Sequence, residues 1–528
     1  EALGLNVAGD KSVAVGLQAL YAQNPSGNAD MYNTAVGYSA GAAVTTGVNN
    51  TLIGGLAGDA NTTGNYNVAL GTLSLTANTT ADGNTGLGYG ALYGNTTGAS
   101  NVAIGREALV ANTTASNNTA VGKSALAANT TGTLNTATGY RALQGNTTAG
   151  NNTAFGADAL YTNTTGGSNT AVGLNALVSN TTASNNTAVG YVALGANTTG
   201  ASNVAVGSGA LDANTTGTGN IGIGVTALGA NTTAGEGTGV GDGCLAVNTT
   251  GALNSAFGAQ TLAACTTGSA NTAIGGYALN DLTTAAENVA VGATALASNT
   301  TASHNTAIGN AALTANTTGT NNVAVGAYTL DANTTASNNT AVGRDALTAN
   351  TTGSSNSSLG LNSLYGNTTG ANNTAVGRSA LQSNTTAASN TAVGYGALQL
   401  NTTGASNVGL GFQALYSNTT AANGSALGHN ALFNNTTGAS NTAVGKSALE
   451  NNTTGATNVA FGAQALNDNT TADSNTAVGW SSLSKNTTGT ANTGVGESSL
   501  RNATTGDNNT GLGFNALGAA VVTGDNNT

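Results

Sequence analysis

Proline occurs once in 528 residues, at Pro25, and cysteine twice, at Cys244 and Cys265. Proline interrupts backbone ladders, so its scarcity leaves long stretches of chain free to pair. Two cysteines are too few for a disulfide framework. They fall one repeat apart but out of phase, which sets their Cα atoms too far apart for a bridge. They are read as small residues filling half-buried positions. Charged residues make up 5% of the chain and aromatics 4%, with a net charge of −11. Nine basic residues, several of them at one outward position (Arg106, Lys123, Arg344, Arg378, Lys446), exclude the clustered Lys/Arg surface that phosphate backbones require. No apolar run approaches the roughly 18 residues needed to cross a bilayer.

What the chain does have is a repeat. From Asn33 to Gly513 one 17-residue unit recurs without insertion or deletion. Numbered from Asn33, its slots read N-T-A-V-G-x-x-A-L-x-x-N-T-T-(G/A)-x-x. A fixed period of this kind is the signature of a solenoid or fibre, in which each repeat touches only its neighbours. Low aromatic content and 78 glycines suit disorder, but disorder has no reason to hold aliphatic residues in phase. The chain is therefore expected to be a single array over 1–528. Its strict register runs over 33–513, an insertion loop lies at 21–32 around Pro25, and the end at 514–528 is slightly irregular. It opens and stops in mid-repeat and carries no initiator Met, which reads as a slice of a longer chain or as a mature subunit whose ends meet other subunits.

Slots 1 to 5 alternate with period two and so form a strand. The aliphatic residue of slot 4 is expected to face the core, and the small residue of slot 3 to lie on a second confined face, covered by another chain. Slots 5, 8, 9 and 12 are nearly fixed, with the i, i+3, i+4, i+7 spacing of a helical turn. Helices pack about 8–10 Å apart and stacked strands about 4.8 Å apart, so a β-corner is favoured over one short helical turn per coil. The expected fold is all-β, a parallel β-solenoid (β-roll) of about 31 coils, near 150 Å long at that strand spacing. The alternative is a solenoid with one strand and one short helical turn per coil. Its core is expected at Val121, Gly122, Ala125 and Leu126, and likewise at Val189, Gly190, Leu194, Val342, Gly343 and Leu347. Slots 12 to 15 suit a turn, with a ladder of amides and hydroxyls at Asn95, Thr96, Thr97, Asn112, Thr113 and Thr114.

The strand signature, as in Asn118-Thr119-Ala120-Val121-Gly122, Asn203-Val204-Ala205-Val206-Gly207 and Ser12-Val13-Ala14-Val15-Gly16, resembles the head repeats of YadA-like trimeric autotransporter adhesins. It is also similar to repeats of bacterial and phage tail-fibre-like proteins. The resemblance implies a left-handed parallel β-roll with three chains side by side. The family's unit is shorter, and its second half differs from the Gly-x-x-Ala-Leu-x-x-Asn-Thr-Thr found here. No coiled-coil stalk, anchor or tip domain accompanies the repeats.

Catalysis has little footing. His304 and His429 fall in variable slots of distant coils, and no acidic pair recurs in register. Gly88-Tyr89-Gly90 and its kin are by-products of the fixed slot 5 glycine, outside the strand-to-helix setting of a phosphate loop. Neither a metal nor a cofactor is expected. The Asn-Thr-Thr turns match the N-glycosylation acceptor pattern at Asn61, Asn95, Asn163 and Asn435, although an Asn turn ladder explains the same residues. Threonine files could also order water on a flat strand, an ice-binding alternative that needs two outward files. Tyrosines gather in slots 6 and 10 (Tyr38, Tyr89, Tyr140, Tyr191, Tyr395; Tyr93, Tyr161, Tyr365, Tyr416), an exposed face suited to glycans or neighbouring filaments. The expected function is an extracellular or cell-surface structural fibre, filament or adhesin shaft without catalysis. A phage-type tail-fibre shaft is the alternative. The expected partners are further copies of the chain, as a trimer or an end-to-end filament, and surface glycans.

Overall fold

The computed structural model describes residues 1–519 and 521–528. Two compact units divide the chain, Glu1–Gly268 and Ser269–Thr528, and each is a parallel β-solenoid. In the first, strands follow one another from Val13–Val15 and Thr34–Val36 to Ser255–Phe257; in the second they run from Thr272–Ile274 to Thr510–Leu512. Each is three residues long and covers slots 2 to 4. Successive strands pair in parallel with identical slots opposite one another, as Thr119, Ala120 and Val121 do against Thr136, Ala137 and Thr138. The described residues contain no helix.

The ladder does not stop where the strands do. Gly122 N–H donates to the Ile104 carbonyl of the preceding coil (2.7 Å), and Ser124 N–H to that of Arg106 (2.9 Å). Leu126 and Ala128 then donate to Ala142 and Gln144 of the following coil, each at 3.0 Å. The corner keeps this pattern by taking left-handed backbone at alternate residues: Gly122 at φ 136°, Ser124 at 56° and Leu126 at 52°. A helical turn would need consecutive right-handed residues, so the helical alternative fails despite its matching spacing. Each left-handed non-glycine residue costs on the order of 1 kcal/mol. Coil-to-coil bonds and the burial of leucine offset that cost at every repeat.

Slot 5 must be glycine for two reasons. Its φ lies in a region closed to side chains, and the coils approach closely there: a Cβ on Gly105 would stand 2.6 Å from the carbonyl oxygen of Gly122. No L-residue meets both conditions. Gly122, Gly190 and Gly343 share that backbone, with φ between 132° and 143°, so they shape the corner and do not fill the core.

The core itself is narrow. Ala120 of slot 3, Ala125 of slot 8 and Leu126 of slot 9 are fully buried, as are Leu194 and Leu347. The slot 4 aliphatics face the other way, which reverses the orientation expected from their size. Val189 is 36% exposed and Phe155 58%, while Val121 and Val342 are half-buried. Alternation along the strand correctly places slots 1, 3 and 5 on one side and 2 and 4 on the other. The interior belongs to the alanine because the slot 9 leucine already occupies the space opposite it.

The proline-bearing insertion is absorbed at the edge. Gly9–Asp10 pairs in parallel with Ala29–Asp30, and Lys11 bonds Asp30 at 2.7 Å and Tyr32 at 3.2 Å. The strand register resumes at once, Val13 opposite Thr34. Near the other end Asn527 N–H reaches Asn509 Oδ1 (2.8 Å) across 18 residues, one more than the regular step. Within that irregular end, Ala520 lies outside the described residues.

Candidate functional site

Buried asparagine is the most unusual chemistry in the coil. A buried amide is costly unless its hydrogen bonds are met, and here two files meet them jointly. In slot 12, Asn129 Nδ2 donates to Asn112 Oδ1 of the preceding coil (2.9 Å) and to the Gly132 carbonyl (2.9 Å). In slot 1, Asn118 Nδ2 donates to the same Gly132 carbonyl (3.0 Å), and Asn118 N–H to Asn101 Oδ1 (3.0 Å). The slot 15 carbonyl is thus a node tying strand start to turn within every such coil. Sequence reasoning found the slot 12 file and missed the slot 1 file, whose asparagine reads as an ordinary strand edge.

Asn95 and Asn112 lie in that first ladder, Asn112 Nδ2 donating to Asn95 Oδ1 at 2.8 Å. Thr96 and Thr113, in slot 13, form a hydroxyl file: Thr96 Oγ1 donates to the Thr113 carbonyl (3.0 Å) and Thr113 Oγ1 to that of Thr130 (3.1 Å). Thr97 and Thr114, in slot 14, are exposed. Only the slot 14 threonine of each pair is exposed, its slot 13 neighbour being half-buried, and it reaches solvent from a bend, not from a flat strand.

The glycosylation acceptors are interior residues. Asn61, Asn95, Asn163 and Asn435 are at most 1% exposed. Asn163 Nδ2 donates to Asn146 Oδ1 (3.0 Å) and Gly166 O (2.9 Å), which occupies both of its hydrogens. Asn435 does the same toward Asn418 and Gly438. Asn95 does so toward Asn78 and Gly98, and Asn61 Nδ2 donates to Gly64. A glycan on Nδ2 would break a ladder bond and has no room, so the folded chain does not offer these sites.

The thiols are equally enclosed. Cys244 and Cys265 are both free and buried, and burial pushes them up to about 12 and about 11, far from reactive thiolate. Cys265 replaces a slot 12 asparagine and keeps a weak bond to the slot 15 carbonyl, Sγ to Gly268 O at 3.6 Å. His304 sits on the surface 3.0 Å from exposed Glu287. His429 stacks on Phe412 with ring centroids 5.0 Å apart. Among the described residues no three His, Cys, Asp or Glu side chains gather where they could hold a metal ion, and no helix is long and apolar enough to cross a membrane.

Two outward surfaces remain. The first is the strand face of slots 2 and 4, an in-register file of Thr or Val (replaced by Ser255, Ser357, Ser425 and Ile221) beside Val, Ile, Leu or Phe in each unit. Its exposed members include Ile104, Phe155, Val189, Ile223 and Phe257 in the first unit, and Ile274, Val393, Leu427 and Phe461 in the second. Thr138 alone interrupts the apolar file of slot 4. Scattered surface apolars need no explanation, but a contiguous file does.

The second surface is the column of slots 6, 7 and 10. Tyr395 stacks on Phe412 (5.4 Å) and Phe412 on His429, with Arg378 lying over the far face of Tyr395 (6.0 Å). Arg141 lies between Tyr140 and Tyr161, 4.7 Å from each ring centroid, and grips Asp158 with two bonds of 2.8 Å. Rings stacked along the coil axis spend their faces on one another and present only edges. No family model matches the chain, and no curated protein matches it significantly.

Proposed function

We propose that the protein is a structural element, an extracellular or cell-surface fibre, filament or adhesin shaft, which associates sideways with copies of itself through the outward strand face. The observation that carries this reading is the in-register apolar file of slot 4, broken only at Thr138 and half-buried to exposed along each solenoid, with the Thr, Val or Ser of slot 2 beside it. The partner that fits it best is another copy. Only a surface with the same spacing between coils can meet every member of the file in register, and burying it yields about 25 cal/mol per Å².

Slots 2 and 4 of the repeat carry no charged residue, so like charges do not meet across this face even though the chain bears a net charge of −11. A buried ladder of asparagines supplies a stiff interior without metal, disulfide or cofactor. The resemblance to YadA-like head repeats and to tail-fibre repeats points the same way, toward three parallel chains.

The test is the solution mass of the chain by light scattering, followed by electron microscopy of the native assembly. Three laterally joined chains would support the shaft. A mass of one 50.4 kDa chain at micromolar concentration would overturn lateral association. A single stack joined end to end would make the protein a filament subunit instead.

A further inference from the structure

One position on the slot 6, 7 and 10 column is hollow where most of its counterparts are filled. Slot 7 normally carries a side chain, such as Ser124, Asp158 or Asn175, but Gly90 leaves it empty. Gly209, Gly243 and Gly396 share the substitution; at Gly243 and Gly396 neighbours close the gap, whereas Gly209 is open like Gly90, its nearest neighbours Thr226 Cγ2 and Asp212 Oδ2 standing 3.7 and 3.9 Å from a Cβ built there. Gln399 Oε1 reaches within 3.0 Å of a Cβ built on Gly396, and Gln260 fills the space beside Gly243. Beside Gly90 the nearest atom to such a Cβ is Glu107 Cγ, at 4.0 Å. The result is a surface hollow of about 340 Å³ lined by Leu73, Tyr89, Gly90, Tyr93, Glu107 and Val110. That lies at the small end of the range for small-molecule sites, about 300–1,000 Å³.

The polar groups around it are unusually free. Arg106 Nε and Nη2 both donate to Glu107 Oε1 (3.2 and 3.1 Å), which leaves Oε2 without a partner among the described residues. The phenol hydroxyls of Tyr89 and Tyr93 likewise make no bond there, and the two rings are 51% and 45% exposed. Leu73 and Val110 supply an apolar wall. The rim therefore offers one carboxylate acceptor, guanidinium and phenol donors, and no net charge, since Arg106 balances Glu107.

We infer that this hollow binds a neutral pyranose. A vicinal diol both donates and accepts, as the Arg106–Glu107 pair requires, and the apolar C–H face of a sugar ring packs on tyrosine and aliphatic side chains. A cation would meet Arg106, which lies 6.0 Å from the Tyr89 ring centroid, and an anion would meet the open oxygen of Glu107. The site is independent of the strand face, so its failure would leave lateral association untouched.

Saturation-transfer NMR on the full chain tests it, with methyl glucoside, galactoside, mannoside and N-acetylglucosaminide as probes, and sialic acid and glucuronate as charged controls. Transfer to at least one neutral pyranoside is expected, stronger than to either acid. Gly90→Asn should reduce it about fivefold or more, the equivalent of one lost contact. Asparagine already occupies slot 7 with the same backbone, at Asn175 and Asn362 (φ 57°) against Gly90 (φ 64°), so that variant keeps the fold. Tyr93→Ala should give a similar loss. No transfer to any neutral pyranoside, stronger transfer to an acid, or full transfer to Gly90→Asn would each overturn the assignment.

Discussion

The coil that holds Leu52 and the regular coils around Leu126 solve one packing problem in opposite ways. In the regular coil slot 3 is alanine and slot 9 leucine, both buried. At Leu52 the large residue sits in slot 3, and the slot 9 positions on either side of it are Gly41 and Gly58. Side chains built on those glycines would run into Leu52, whose Cδ1 lies 2.6 Å from a Cβ on Gly41 and whose Cδ2 lies 2.8 Å from one on Gly58. The interior is a channel of fixed volume, filled by the slot 9 leucine in the regular coils and, beside Gly41 and Gly58, by the one Leu52 that lies against both, with Leu20 and Val44 also adjoining Gly41.

Removing the odd leucine should have the largest effect. Leu52→Ala opens space that neither glycine can fill, and we expect a loss of about 3–5 kcal/mol, at the upper end for leucine truncation. Leu126→Ala, with leucines stacked above and below, should cost less, about 2–4 kcal/mol. Because each coil touches only its neighbours, the loss should appear as faster amide hydrogen exchange confined to adjacent coils. The double variant Leu52→Ala with Gly58→Leu converts the coil to the regular pattern, and Gly58 already has the backbone of a slot 9 leucine (φ 56° against 52° at Leu126). It should recover at least about 1 kcal/mol relative to the sum of the single changes. Additive losses would refute the fixed-volume channel.

The comparison also separates two kinds of glycine. Gly58 is glycine because Leu52 occupies its space, whereas Gly105 is glycine because the backbone of Gly122 does. A side chain can yield and a carbonyl cannot. Gly105→Ala should therefore cost about 3 kcal/mol or more, and no second-site change in a neighbouring side chain should restore it. Thermal unfolding of the variant alone and combined with Leu109→Ala checks this, since rescue by the combination would show that side-chain room was the constraint.

These contrasts also show how far the sequence reveals the molecule. Period two over slots 1 to 5 identifies the strand, and the persistence of Thr-Thr beside Asn identifies the turn ladder through Asn95 and Asn112. Which strand face is inside was not legible, because size suggested Val121 and the interior has room only for Ala120. In most folds the larger residue marks the core, but a channel filled from the opposite wall inverts that rule. The left-handed corner was hidden for a related reason. Leucine is a poor predictor of positive φ, and only the coil-to-coil bonds of Leu126 make that backbone tolerable. The hollow at Gly90 was invisible, since Gly-Tyr-Gly occurs there as a by-product of slot 5 and only its unfilled surroundings distinguish it from Gly396.

The asparagine files give a smaller effect than the leucines. Asn112→Ala removes the bonds it donates to Asn95 Oδ1 (2.8 Å) and Ala115 O (2.9 Å) and the one it accepts from Asn129 Nδ2 (2.9 Å), although Ala115 O keeps the bond from Asn101 Nδ2. We expect a loss of about 1–3 kcal/mol. Asn112→Cys should lose less, because the chain itself carries cysteine in that slot at Cys265, where the thiol keeps a weak bond to Gly268 O. Equal losses for the two variants would mean that cysteine contributes only its volume.

The smallest effect on stability is expected on the outer side of the strand, and it sharpens the contrast most. Val189 and Ala188 are neighbours in Thr187–Val189, yet Ala188 is fully buried and Val189 is 36% exposed. Ala188→Lys would force a charge into a channel with no partner and should abolish local folding. Val189→Lys should change the unfolding of an isolated chain by no more than about 0.5 kcal/mol. If the outward file holds copies together, the same substitution with Phe155→Lys places like charges face to face in a dry interface. The mass by light scattering should then fall to that of one chain while the circular-dichroism spectrum stays unchanged. An assembly that survives both lysines would have to be held by some other surface. A chain that unfolds on Val189→Lys alone would return slot 4 to the core.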